Sequence, residues 1–336
     1  MQYYYGQNNG YFGYGYEMQQ KQSEKRRIAF ISMACGGAIL AFLGLNLLIG
    51  LLIGRISPVY DSYLNNSDFS ESIGMVIAIF ALLIPFAIAY KLAKNRSYVS
   101  ELPLGKPYDK SEMGKLVAVG IMVCILATIV TGVFASAVEA LFGVELSSPE
   151  DTSDYGSVLG VILSAVGTAA LPAVVEEFCI RGFVLQALRR YGDVFAIMMS
   201  SFVFAILHGN MIQIPFAFMA GIMIGYAVIK TGTMWTGIII HFANNLIAVI
   251  QMTLSEMLTD LQFNVFVSAL YITIFIVGGI CLAFFLKKNP RPVSVLSRGE
   301  CSILRTSEKT SAFLLTVPMI AAIVVLGIET AFFINS

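Results

Sequence analysis

An all-α, polytopic bundle of transmembrane helices is the fold this 336-residue sequence predicts. Three observations predict it. Hydrophobic residues make up 57% of the chain and charged residues only 12%, whereas an ordinary soluble domain is about 25% charged. Apolar runs of roughly 20 residues, the length that crosses a bilayer, recur between short polar connections. Nineteen of the 21 basic residues fall at alternate ends of consecutive runs, the pattern of a polytopic protein under the positive-inside rule. The mean hydropathy of +0.78 agrees.

Residues 1–16 hold six tyrosines among Gly, Gln and Asn with no apolar periodicity, so 1–27 reads as a disordered, cytoplasmic, low-complexity tail. Spans are expected at 28–54, 73–92, 116–143, 158–188, 193–210, 212–230, 234–253, 264–286 and 312–334. Gly209 and Asn210 interrupt the run that continues to Lys230. A single helix there, giving eight spans, would be about 36 residues long and overshoot the membrane. Two short helices with a tight turn, giving nine, fit better. The domain division that follows is spans one to three within 28–157, a core at 158–253, and spans eight and nine within 254–336.

The basic residues test this layout. Lys21, Lys25, Arg26 and Arg27 precede the first span, six more lie between spans two and three, Arg189 and Arg190 follow the fourth, and Lys230 follows the sixth. A further six fall between Lys287 and Lys309. The opposite loops carry Asp61, Asp68, Glu71, Glu145, Glu150, Asp151, Asp154, Glu256 and Asp260, with Arg55 as their only base. This places the N-terminus in the cytoplasm and the C-terminus outside.

Charge is balanced, with 21 basic and 21 acidic residues, so no nucleic-acid partner is implied. Cys35, Cys124, Cys179, Cys281 and Cys301 show no CxxC spacing and read as small packing residues rather than a disulfide framework or thiolate metal site. The first apolar run begins only at Ile28 and no small-residue cleavage site follows it, so a cleaved leader is not expected.

Ionisable side chains at membrane depth are costly and mark function by default. The fourth span contains Glu176, Glu177 and Arg181, and the only two histidines, His208 and His241, end the fifth span and enter the seventh. Glu177 and Arg181 are four apart and share a helix face, where they can pair. Glu176 lies about 100° around the helix, free to face the bundle interior. His241 and Asn245, and Phe204 and His208, repeat the four-residue spacing. At 1.5 Å per residue these groups can reach one level. Each also has a structural explanation: an ion pair that satisfies a buried arginine, a histidine capping a helix end, and interhelical hydrogen bonds.

These residues resemble a known family. Glu176-Glu177-Phe178-Cys179-Ile180-Arg181 matches the EExxxR motif of CPBP intramembrane proteases, also called the CAAX protease and bacteriocin-processing or Abi family and including the type II CAAX prenyl endopeptidases. Phe204-Ala205-Ile206-Leu207-His208 matches FxxxH, and His241-Phe242-Ala243-Asn244-Asn245 matches HxxxN, in family order across roughly 158–250. The resemblance implies a conical core of spans four to seven and an intramembrane endopeptidase acting on a membrane-associated protein or peptide in the bilayer, in a bacterial cell membrane. It assigns Glu176 as general base assisted by His208, His241 and Asn245 as oxyanion donors, and Glu177, Arg181 and Phe204 as supporting residues. A second version has Glu176, His208 and His241 hold a divalent metal such as zinc, since one carboxylate and two imidazoles form a known catalytic set. No organic cofactor is implied, and oligomeric state and substrate identity lie beyond the sequence. The competing classes are a transporter or proton-relay protein, for which no inverted repeat is visible, and a catalytically inactive bacteriocin-immunity scaffold. HExxH and GxSxG motifs are absent.

Overall fold

The computed structural model describes residues 9–147, 153–297 and 302–335. Residues 1–8 of the expected tail, Glu150 and Asp151 of the expected acidic loop, and Cys301 lie outside the described residues. Helix α1 spans Asn9–Arg55, so the part of the expected tail from 9 to 27 is helical rather than disordered. Gln, Glu, Lys and Met in this stretch are good helix formers, Glu17 and Lys21 pair at 2.7 Å across one turn, and extending an existing helix needs no new nucleus.

A short helix, α2 (Ser57–Asn65), leads to α3 (Ser67–Asn95), which starts where Asn66 accepts a hydrogen bond from the Phe69 N–H. Helix α4 (Lys110–Phe142) begins at Asp109, whose carboxylate accepts from the N–H groups of Ser111 and Glu112, and ends at Gly143 in the left-handed region (φ +65°). Helix α5 (Val158–Tyr191) contains π-helical stretches at Ala165–Ala170 and Phe178–Leu185. Then follow α6 (Asp193–Ile206), α7 (Gln213–Thr231), α8 (Trp235–Met257) and α9 (Asp260–Lys288). A bent pair, α10 (Thr306–Leu314) and α11 (Val317–Ala331), closes the chain with a 73° break ahead of Pro318.

Polar contacts sort the loops into two ends. At one end Lys25 meets Glu308 at 2.7 Å, Lys288 meets Asp109 at 2.7 Å, and Arg189 meets Asp193 at 2.9 Å. Lys230 donates to Asn289 at 2.8 Å, and Asp193 accepts from the Ser297 N–H at 2.9 Å. The Lys288 ammonium and two backbone N–H groups hold the Asp109 carboxyl down at about 2, so this tie persists across ordinary pH. At the other end strand β1 (Glu145–Leu146) pairs antiparallel with β2 (Ile334–Asn335), and the Ser153 hydroxyl donates to Glu71. The loops that the charge pattern put on one side thus touch one another, and so do those it put on the other.

Against the nine spans expected, seven helices among the described residues are long and apolar enough to cross a membrane, or eight if α10 and α11 form one span. The expected fifth span is the exception. Helix α6 has 14 residues, about 21 Å at 1.5 Å per residue, and stops because the chain turns at Gly209 (φ +64°). A Cβ there would lie 3.3 Å from the Glu329 carboxyl carbon on α11. Asn210 then opens α7 by accepting from the Gln213 N–H at 2.9 Å. The break between α6 and α7 therefore stands where Gly209 and Asn210 put it.

The sorting of the loops into two ends makes a labelling prediction. Cysteines introduced at Lys106 and Arg291 should react with an impermeant maleimide from one face of the membrane, and those at Asp61 and Asp154 from the opposite face. Reaction of all four from one face would break the parity of the fold.

Candidate active site

The two adjacent glutamates of α5 have different surroundings. The Glu177 side chain is fully buried; its Oε1 accepts from Arg181 Nη1 at 2.7 Å and from His241 Nδ1 at 3.1 Å. Arg181 is equally buried, donates from Nη2 to the Gly221 carbonyl at 3.3 Å, and lies over the Phe204 ring at 4.5 Å. Helix α8 approaches Glu177 closely because residue 237 is Gly: a Cβ there would sit 2.7 Å from Glu177 Oε2. The expected Glu177–Arg181 pair thus forms, and the sequence reading missed its third member, His241.

Glu176, one residue earlier, keeps 27% of its side chain exposed and points the other way. With His208, His241 and Asn245 it lines a cavity of about 350 Å³, walled also by Phe204 and Phe216. His241 Nε2 lies 3.9 Å from Glu176 Oε2. Two helices, α5 and α8, and the turn after α6 therefore bring the four expected catalytic side chains to one space. Glu177 and Arg181 stand behind it as its support. Phe204 packs edge-on to both imidazoles, with ring centroids 4.9 Å from His208 and 5.7 Å from His241.

The second nitrogens of the histidines are already engaged, which sets what the first can do. His208 Nδ1 is 2.8 Å from the Phe204 carbonyl. A carbonyl oxygen only accepts, so Nδ1 carries the hydrogen and a neutral ring presents a bare Nε2. The carboxylate of Glu177 assigns the same proton to Nδ1 of His241. Asn245 donates from Nδ2 to the Thr168 carbonyl at 3.1 Å and accepts from Asn244 at 3.2 Å. Thr168 was not expected, yet it carries a readable signal. Residue 172 is Pro, so the Thr168 carbonyl has no α-helical N–H partner four residues on, and the Asn245 amide serves it instead.

A smaller chamber of about 90 Å³ adjoins Glu176 and His208 on the other side, walled by Phe42, Leu82, Ile180 and Leu207. Among the described residues no three His, Cys, Asp or Glu side chains are grouped so as to hold a metal ion. The expected ligand set of Glu176, His208 and His241 shares a cavity without closing around one point.

Residues 158–247, roughly a quarter of the chain, match the family model described as type II CAAX prenyl endopeptidase Rce1-like. Comparison with curated proteins and with solved structures gives no match. The matched stretch contains every motif residue, from Glu176 to Asn245. The core of this integral membrane protein is therefore similar to the type II CAAX prenyl endopeptidases of the CPBP, or CAAX protease, family over residues 158–247.

Proposed function

We propose that the chain hydrolyses a peptide bond of a membrane-associated protein or peptide, using a water molecule activated by Glu176. One observation carries the reading: Glu176, His208, His241 and Asn245 line one cavity, while the neighbouring Glu177 is sealed from it. The Glu176 carboxylate and the bare His208 Nε2 both accept, so a molecule placed between them donates, as water does. In the proposed step Glu176 takes a proton from that water as its oxygen attacks the scissile carbonyl. The oxyanion accepts from the second N–H of the Asn245 amide and from His241, which in this role carries a proton on both nitrogens, one held by Glu177. Glu176 then returns its proton to the leaving amine and the C–N bond breaks. The apolar walls keep bulk water from competing for these groups.

The same charge pattern supports a cytoplasmic N-terminus and an outer C-terminus in a cell membrane, with the 94–115 and 287–311 loops inside. Cysteines in those loops should resist impermeant reagent applied to intact cells; ready reaction would invert the orientation.

The two glutamates should fail in different ways. Glu176→Gln keeps shape but removes the base, so cleavage of a quenched peptide should fall by roughly 10²–10⁴-fold with the melting temperature in detergent unchanged. Glu177→Gln leaves Arg181 without its carboxylate, and breaking a buried pair costs about 3–5 kcal/mol, so folded yield and melting temperature should drop. Retained turnover in Glu176→Gln would remove that residue from the base role.

The metal version uses the same groups, one carboxylate and two imidazoles. Protein stripped by a strong chelator, with its metal content measured by elemental analysis, should keep its cleavage rate. Loss of activity restored by zinc would assign Glu176, His208 and His241 as ligands instead.

A further inference from the structure

Glu71 lies on α3, outside the family-matched stretch, and its carboxylate reaches into the π-helical part of α5. Its Oε1 accepts from the Thr168 hydroxyl at 3.1 Å, and its Oε2 accepts from the hydroxyls of Ser153 and, at 3.4 Å, Ser164. Close approach depends on Gly167, where a Cβ would stand 2.7 Å from Glu71 Oε1 and 2.9 Å from the Met75 methyl. The same Thr168 offers its carbonyl to Asn245 Nδ2 at 3.1 Å. A continuous path thus runs from a carboxylate on α3, through one residue of α5, to the amide on α8 that lines the cavity.

The path has a physical reason to hold. The stretch Ala165–Ala170 is π-helical, with the Leu171 N–H donating five residues back to Val166, and Pro172 supplies no N–H to Thr168. This backbone therefore lacks part of the ordinary helical ladder that would fix the Thr168 carbonyl. Glu71 anchors the side chain of that residue from outside the helix. With its carbonyl held, Thr168 orients the Asn245 amide, leaving the second N–H of that amide for the cavity.

We infer that Glu71 is a positioning residue that acts through Thr168 to aim the Asn245 amide into the active cavity. This rests on the proteolytic reading above, in which Asn245 binds the oxyanion. Glu71 touches neither substrate nor reacting atoms, so its effect passes through Asn245 and disappears when Asn245 is removed.

A mutant cycle on the full chain tests this. Glu71→Gln presents one acceptor oxygen where the carboxylate presents two, and should lower kcat about tenfold with KM within about twofold, a partial loss of the 10²–10³ that one oxyanion donor supplies. Thr168→Val should do the same, and Thr168→Ser should restore the rate. Gly167→Ala, which keeps every polar group but displaces the carboxylate, should match Glu71→Gln. In an Asn245→Ala background, Glu71→Gln should cost no more than about a further twofold, because members of one hydrogen-bond path are not additive. A full tenfold loss in that background, or a loss carried by KM alone, would overturn the inference while leaving the protease reading intact. Should the wild-type chain cleave nothing, the protease reading falls and the path is read from melting in detergent. Glu71→Gln then lowers the melting temperature in the wild type but not in Asn245→Ala, and equal shifts in both would overturn the path.

Discussion

The buried carboxylate of Glu177 is the constraint on which the centre of the molecule depends. It binds Arg181 four residues on along α5 and His241 on α8, both within hydrogen-bond distance. Arg181 in turn reaches the α7 backbone at Gly221 and lies against Phe204 on α6. One charge pair therefore touches four of the helices that line the cavity, α5 to α8. Placing a charge away from water is costly unless it is paired. Each of these helices is thus held in the register that keeps the pair whole, and the orientation of His241 follows from that register.

The division between neighbouring glutamates follows from helix geometry. Adjacent residues on a helix point about 100° apart, so a doublet can place one carboxylate in the packed interior and the other in a cavity. Glu177 takes the interior site and Glu176 the cavity site. A single glutamate could not both neutralise Arg181 and remain free to exchange protons. The same separation recurs in the two histidines. Each engages Nδ1 with a fixed acceptor and turns Nε2 elsewhere, so a supporting contact sets the state of the working nitrogen.

Much of this was legible in the sequence. Glu176, Glu177, Arg181, His208, His241 and Asn245 stood out because charged and imidazole groups are rare at membrane depth, and four-residue spacings placed them on shared faces. The charge alternation anticipated which loops meet, and Gly209 with Asn210 marked the turn that ends α6. What was not legible depended on contacts between distant segments. The second partner of Glu177, His241, lies 64 residues away, and no local pattern joins residue 177 to residue 241. The length of α6 was misjudged because the apolar run continues past Ile206 while the backbone turns. Helix at 9–27 was missed because a Tyr- and Gly-rich beginning masked a stretch of good helix formers after it.

Proline and the π-helical stretches explain why α5, rather than a regular helix, carries the centre of the site. A regular α-helix satisfies its backbone internally and offers nothing to its neighbours. Pro172 removes the N–H that would have served Thr168, and the carbonyl becomes an acceptor for the side chain of Asn245. The second π-helical stretch, Phe178–Leu185, contains Arg181 itself. Such single-turn departures cost some helical stability and are common at functional sites. Here they let a helix in a membrane present backbone and side chains together to α7 and α8. The helix that would be simplest to insert would be least able to build this cavity, so the irregularity of α5 belongs to the site as much as the glutamates it carries.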